Sequence, residues 1–242
     1  MERSIKFHLV KELPDDYILP PIPSSKLMPS WFKNLPGYGE NNVQTVKKCI
    51  PFVDAMTAGY TFLLHIDLII KRDSDNKITL RYLSDSHKSL LDRIKPIETH
   101  PKTQVPGVPF EDLPIIKFMN PWRIETPPNY STLFLPCANR FDTMIMPLVG
   151  LVDTDRYKNV VNFPFVIPSL LPNSEILLEK GTPIVQVIPI KRDNWKEKTT
   201  LYDSRVLSET KKQREEMFED REDYYRRKLW KKKVYNSISY KK

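Results

Sequence analysis

The chain has 242 residues, of which 40% are hydrophobic and 28% charged, and its net charge is +8. That is the length of one large domain or a domain with appendages, and the Ile, Leu, Val and Phe content of its middle excludes a disordered chain. Proline is abundant at 22 and glycine scarce at 6, a balance that favours strands, turns and extended connections over long helices.

So few glycines leave no G-x-G-x-x-G and no G-x-x-x-x-G-K-[ST] motif, and nucleotide chemistry of those two kinds has no support. The longest apolar run, Phe62–Ile70, is interrupted by His65 and Asp67. It reaches about half of the ~20 residues that a membrane-spanning helix needs. Met1-Glu2-Arg3-Ser4-Ile5-Lys6 opens no apolar stretch, so no signal peptide and no membrane contact are expected. Cys49 and Cys137 each stand alone and read as reduced thiols of a cytoplasmic protein. His8, His65, His87 and His100 include no i,i+4 pair and no nearby Cys, so the spacing of a zinc site is absent.

In chain order, residues 1–44 form a proline-punctuated arm carrying Trp31 and Phe32, rings that are costly to leave wet. Residues 45–195 form the body. Short alternating runs there read as strands: Phe62–Ile70, Ile78–Tyr82, Trp122–Thr126, Tyr130–Leu135, Val160–Ile167, Glu175–Glu179 and Ile184–Ile190. Between them, Asp85 to Lys95 reads as one short helix and residues 96–121 as a long ordered loop. Residues 196–242 form a charged helix and a basic tail. The helix is expected to start at a Ser204 or Ser208 cap and to run to about Lys233, with a sparse stripe of Leu207, Phe218, Tyr225 and Leu229.

Charge is concentrated at that end. Residues 205–242 hold 13 basic and 7 acidic residues, which leaves the rest of the chain at only +2. From Tyr224 onward there are eight basic residues and no acid, interleaved with Tyr224, Tyr225, Trp230, Tyr235 and Tyr240. Such a tail suits nucleic acid, with cations on phosphates and rings on bases, or an acidic protein surface; the plain alternative is a solvated end. Its sparse stripe and self-repulsion imply little contribution to the stability of the body.

Three segments carry a recognisable order of motifs. The first is Asp54-Ala55-Met56-Thr57-Ala58-Gly59-Tyr60-Thr61. The second is Pro128 to Pro136 followed by Val149-Gly150-Leu151-Val152-Asp153-Thr154-Asp155-Arg156-Tyr157. The third is Lys180-Gly181-Thr182-Pro183-Ile184-Val185-Gln186-Val187-Ile188. Over roughly residues 45–190 they resemble the dUTPase and dCTP-deaminase superfamily, and within it a group of bacterial and phage proteins. The resemblance implies an all-β, jelly-roll-like β-clip core and a homotrimer. It implies a nucleotide site built from Tyr60, Gly150, Val152, Tyr157, Gln186 and Arg140. Asp153 matches the aspartate that orients the attacking water, with magnesium present only if a nucleotide triphosphate is bound.

The chain departs from that pattern in ways that bear on catalysis. Cys137-Ala138 stands where the family has a phosphate-holding Arg-Ser pair, and Thr61 where it has a metal-supporting acid. No glycine follows Gly181, so the glycine-rich closing arm is missing, and Lys158–Ile167 lacks the glutamate of the deaminase branch. Arg156 is an extra residue ahead of Tyr157. A structural reading therefore stands beside the functional one: Gly59 and Gly150 for tight turns, Asp153 for a turn cap and Gln186 for a buried strand edge. Three functions follow as expectations: a non-catalytic dUTPase-like protein that binds a nucleotide, a phage structural or interaction protein built on a trimeric β core, and a magnesium-dependent nucleotide hydrolase with a rearranged site.

Overall fold

The computed structural model describes residues 4–10, 17–83, 95–104, 113–141, 145–220 and 224–236. Among these the strands are β1 (Lys6–Leu9), β2 (Ile22–Pro23), β3 (Tyr60–Leu63), β4 (Leu68–Arg72), β5 (Ile78–Tyr82), β6 (Ile97–Thr99) and β7 (Ile116–Phe118). They continue with β8 (Trp122–Glu125), β9 (Tyr130–Leu135), β10 (Met146–Pro147), β11 (Gly150–Val152), β12 (Phe163–Val166), β13 (Ser174–Leu178) and β14 (Pro183–Lys191). The α-helices are α1 (Ser30–Asn34), α2 (Ile50–Thr57) and α3 (Ser204–Glu219). Among the described residues no helix is long and apolar enough to cross a membrane.

The strands form four antiparallel sheets, ordered β11-β9-β14-β3-β2, β10-β12-β7-β6, β13-β4-β5 and β1-β8. All four contribute to one buried core. Phe62, Phe134, Val185 and Val187 come from the five-stranded sheet, Ile116, Phe118, Phe163 and Phe165 from the four-stranded one, Leu68, Ile70 and Leu178 from the three-stranded one, and Ile124 from the pair. Phe163 is the meeting point: its ring lies 5.0 Å from Phe62, 5.8 Å from Phe118 and 5.6 Å from Phe134. The expected all-β body is therefore present. With glycine scarce, corners fall to asparagine, the side chain that best tolerates a left-handed backbone. Asn41, Asn42, Asn76, Asn129, Asn139 and Asn173 all have φ between 54° and 67°.

Several elements differ from the sequence expectation, each for a visible reason. The run Phe62–Ile70 is two strands in two sheets. His65 and Asp67 break it, because the His65 ring accepts the Leu19 N–H (3.0 Å) and the Asp67 carboxylate accepts the Lys180 N–H (2.6 Å). The ends of the expected loop 96–121 are strands β6 and β7, since Ile97, Ile116 and Phe118 are buried and alternate toward the core. The first motif segment begins in the last turn of helix α2, which tolerates Pro51 in its first turn, and enters β3 at Tyr60. The helix expected over 85–95 lies outside the described residues, apart from Lys95.

The N-terminal segment is tied in by hydrogen bonds. β1 pairs with β8, and β2 pairs with β3. The buried Ser24 and Thr61 hydroxyls bond at 2.8 Å. Phe32 is buried, its ring stacked on Phe52 at 6.1 Å. At the other end, the cap of α3 is Asp203, whose carboxylate accepts the Arg205 and Val206 N–H groups, so the helix starts one residue after Asp203 and needs no serine cap. It ends at Glu219, well short of Lys233, and a π-helical turn spans Tyr225–Leu229.

One buried group predicts a pH response. His65 is 2% exposed, stacked on Phe118 at 5.4 Å, and burial with the nearby Lys180 charge lowers its pKa to about 4. Because its Nδ1 accepts a hydrogen bond, the neutral ring carries its proton on Nε2. The unfolded chain takes up a proton on this histidine near pH 6.5 and the folded chain does not. Stability from this group is therefore complete above about pH 6.5 and is lost as the pH falls toward 4, by roughly 3 kcal/mol over the whole window. Urea unfolding between pH 7.5 and 4 should show this decline, and His65→Gln, which keeps an acceptor for Leu19, should flatten it. Equal slopes in the two proteins would remove His65 as the cause.

Candidate functional site

Gln186 sits in the centre of the five-stranded sheet, opposite Leu135 of β9 on one side and Thr61 of β3 on the other. Its side chain is buried, and its amide is spent on main chain. Nε2 donates to the carbonyls of Ala55 (2.9 Å) and Ala58 (2.6 Å), and Oε1 accepts the Ala138 N–H (2.9 Å). Both amide hydrogens are thereby used. One side chain thus holds the end of α2 in the first motif segment, the turn just beyond the Pro128–Pro136 strand and the strand β14 together. Gly59 completes the joint. Its φ is +65°, and a Cβ there would lie 2.0 Å from the Val187 carbonyl oxygen.

A second cluster surrounds the turn after β11. Asp153 accepts the Ser131 hydroxyl (2.6 Å) and pairs with Arg192 (3.1 Å). Asp155 is held by both guanidinium nitrogens of Arg192 (2.8 and 2.5 Å) and by the Asn129 N–H (2.9 Å). The Ser131 hydroxyl, with the Arg192 charge, holds the Asp153 carboxyl below the usual carboxylate range. Arg192, with the Asn129 N–H, pulls that of Asp155 down to about 2. Between the two acids, Thr154 is buried and bonded to Thr126 (2.8 Å) and Thr132 (2.7 Å). Thr126 gives its proton to the Tyr130 carbonyl (2.9 Å). The chain of donors therefore runs in one direction, from Thr132 to Thr154 to Thr126 to that carbonyl.

The expected site residues do not converge within one chain. Residues 149–157 are not a hairpin. β11 pairs with β9, and residues 153–157 close a turn in which the Asp153 carbonyl accepts the Arg156 (2.9 Å) and Tyr157 (2.8 Å) N–H groups. The inserted Arg156 is absorbed there, where strand alternation does not operate. Tyr60, Val187, Phe134 and Gly150 stand in one row across the sheet. Tyr60 is thus three inter-strand spacings, about 14 Å, from the strand that leads to Asp153. Val152 stands opposite Thr132 and packs on the core, and an added Cβ at Gly150 would meet nothing within 4 Å. Arg140 turns away and donates to the Leu27 carbonyl of the N-terminal segment. The Tyr60 hydroxyl donates to the Asn236 carbonyl (3.1 Å), and its ring meets Tyr235 edge-on at 6.1 Å.

Sequence reasoning missed Arg192, Asp155, Ser131 and Thr154. The available signal was a pair of acids two apart, Asp153 and Asp155, with Ser131 on the neighbouring strand and a cation at the end of β14. It also missed that the tail docks. The Trp230 indole (2.8 Å) and Lys233 ammonium (2.6 Å) both donate to one carboxylate oxygen of Asp54. Arg192 binds both oxygens of Asp155 and one of Asp153, so a cation at this pair would compete with its guanidinium. Among the described residues no group of three or more His, Cys, Asp or Glu is placed to hold a metal ion.

No family model matches the sequence, and no curated protein does. Solved structures do. A mutant dUTPase from phage phi11 of S. aureus is similar at 8% identity, with 83% of this chain and 99% of that chain covered and a TM-score of 0.37. The native EIAV dUTPase is similar at 16% identity, 59% and 87% coverage and a TM-score of 0.31. A Staphylococcus bacteriophage 80alpha dUTPase mutant with dUpNHpp is similar at 11% identity, 83% and 90% coverage and a TM-score of 0.35. These likenesses leave the activity to be argued from this chain's own residues.

The two glycines of the expected site separate cleanly. Gly59→Ala adds a Cβ against the Val187 carbonyl at a left-handed φ, a combined cost of about 2–5 kcal/mol. Gly150→Ala meets open space and should stay within about 0.5 kcal/mol of the parent. Urea midpoints of the two variants, measured side by side, check this; a tolerant Gly59 would show that the close approach to β14 is not required.

Proposed function

We propose that the chain is a dUTPase-like β protein that does not hydrolyse nucleotides and serves as a binding module, associating as a trimer. The observation that carries this reading is the Arg192 guanidinium clamped between Asp153 and Asp155. A carboxylate that must draw a proton from water works best with a pKa near the working pH. Here Ser131 and Arg192 make Asp153 a weaker base. Three of the other groups expected to hold a nucleotide are also engaged: Gln186 by three main-chain groups, Arg140 by Leu27, and Tyr60 by Asn236. The trimer is what the resemblance of the motif order over residues 45–190 implies.

A retained nucleotide pocket is the second reading. It is favoured by the exposure of Asp153 (56% of its side chain) and Tyr157 (44%) on one turn. A ligand that binds only the folded state raises its melting temperature by mass action.

The deciding assay is pyrophosphate release from dUTP and dCTP with magnesium. The expected outcome is no turnover above background, since each lost donor at a developing phosphate charge costs on the order of 10²–10³ in rate. Magnesium-dependent turnover that disappears in Asp153→Asn would overturn the proposal. A thermal shift with a deoxynucleotide but no turnover would select the second reading. Sedimentation that shows only monomer would remove the trimer.

A further inference from the structure

Six of the eight residues from Arg226 to Lys233 are cationic, and no acid occurs between Tyr224 and Asn236. This stretch is anchored to the body. Trp230 and Lys233 bind Asp54, Tyr60 binds the Asn236 carbonyl, and Tyr235 lies against the Tyr60 ring. Arg227 pairs with Asp220 at the end of α3. Two of the six cations are thus neutralised locally. Arg226, Lys228, Lys231 and Lys232 are exposed on the same strap.

We infer that this strap is a preformed, sequence-independent site for the phosphate backbone of nucleic acid, built on Arg226, Lys228, Lys231 and Lys232. Four like charges held within seven residues repel one another; Glu216, Glu219 and Asp220 of α3 lie beside Lys228 and offset part of its charge, and Asp54 is taken up by Trp230 and Lys233. A polyanion removes that repulsion. Pinning the strap at Trp230 and Asn236 lowers the ordering cost that a loose tail would carry. The placement of the rings chooses between partners. Protein interfaces draw most of their energy from buried aromatic and Arg anchors, and Trp230 and Tyr235 are turned against the body while Tyr225 alone of the strap's rings stays exposed. With most of the ring surface committed to the body, phosphate contacts are left as the main source of affinity. The inference is independent of whether the β core binds a nucleotide.

The test uses the full chain with fluorescein-labelled 20-mer duplex DNA, read by anisotropy from 50 to 200 mM salt. Four phosphate contacts predict a log–log slope near −3.6, so binding should weaken on the order of 100-fold across that range. The double variant Lys231→Gln, Lys232→Gln should lower the slope by about two. Its melting temperature should match the parent, because both side chains are exposed. Trp230→Phe should leave the slope unchanged. Absence of binding at 50 mM salt, a slope unaffected by the lysine pair, or equally tight binding of a labelled polyglutamate, which would make the partner an acidic protein, would each overturn the inference.

Discussion

Three hydrogen bonds from one buried amide hold the sequence motifs in place. The Gln186 side chain joins Ala55, Ala58 and Ala138, which belong to a helix end and a turn that no β-ladder reaches. The amide itself is buried, and left unpaired there it would cost about 1–3 kcal/mol. Gly59 is the steric counterpart of the same joint. It lets β3 enter the sheet with its main chain against Val187, and its own carbonyl takes the Ser24 N–H (3.1 Å), which brings in the N-terminal segment. The arm, the helix and the sheet are therefore interdependent through a few main-chain contacts.

The turn after β11 follows the same logic with charge. Arg192 lies one residue beyond β14, and its own N–H bonds the Asn129 carbonyl (2.8 Å), so the sheet fixes where the guanidinium points. From there it reaches both acids of Asp153-Thr154-Asp155, while Thr154 holds the turn from below. A site meant to polarise water or hold a metal needs a carboxylate with unspent charge. Here two carboxylates share one guanidinium: Asp155 is bound through both oxygens, and Asp153 through one. What the geometry produces is a stiff corner with part of the Asp153 charge left facing solvent.

The sequence was most legible where residue type and backbone geometry coincide. Alternating runs located β5, β8, β9, β12, β13 and β14, because each has one face in the core. The motif order pointed to segments that do meet, at Gln186. Short strands such as β6 and β7 were hidden by flanking prolines and by their length of three residues, too short for a period of two to show. α2 was hidden because an eight-residue helix with Pro51 in its first turn resembles a loop. The site was less legible than the fold. Residue types at motif positions say what a side chain is able to bond, and the nearest partner decides what it does bond. Arg140 and Leu27 are 113 residues apart, and Tyr60 and Asn236 are 176 apart. No local pattern reports such pairs.

The C-terminal strap shows how far such a remote partner can change a reading. Composition alone describes a basic tail with interleaved rings, which suggests cations and rings facing the same ligand. The fold divides them. Asp54 draws Trp230 and Lys233 inward, Tyr60 receives Tyr235, and the remaining cations are left on the outside. One acid on α2 thus converts a mixed tail into two faces, an aromatic one that closes over the strand entry at Tyr60 and a cationic one that faces solvent. The body carries little net charge of its own, so the field around this face is set by the strap. An approaching polyanion would meet that field before it met any feature of the β core.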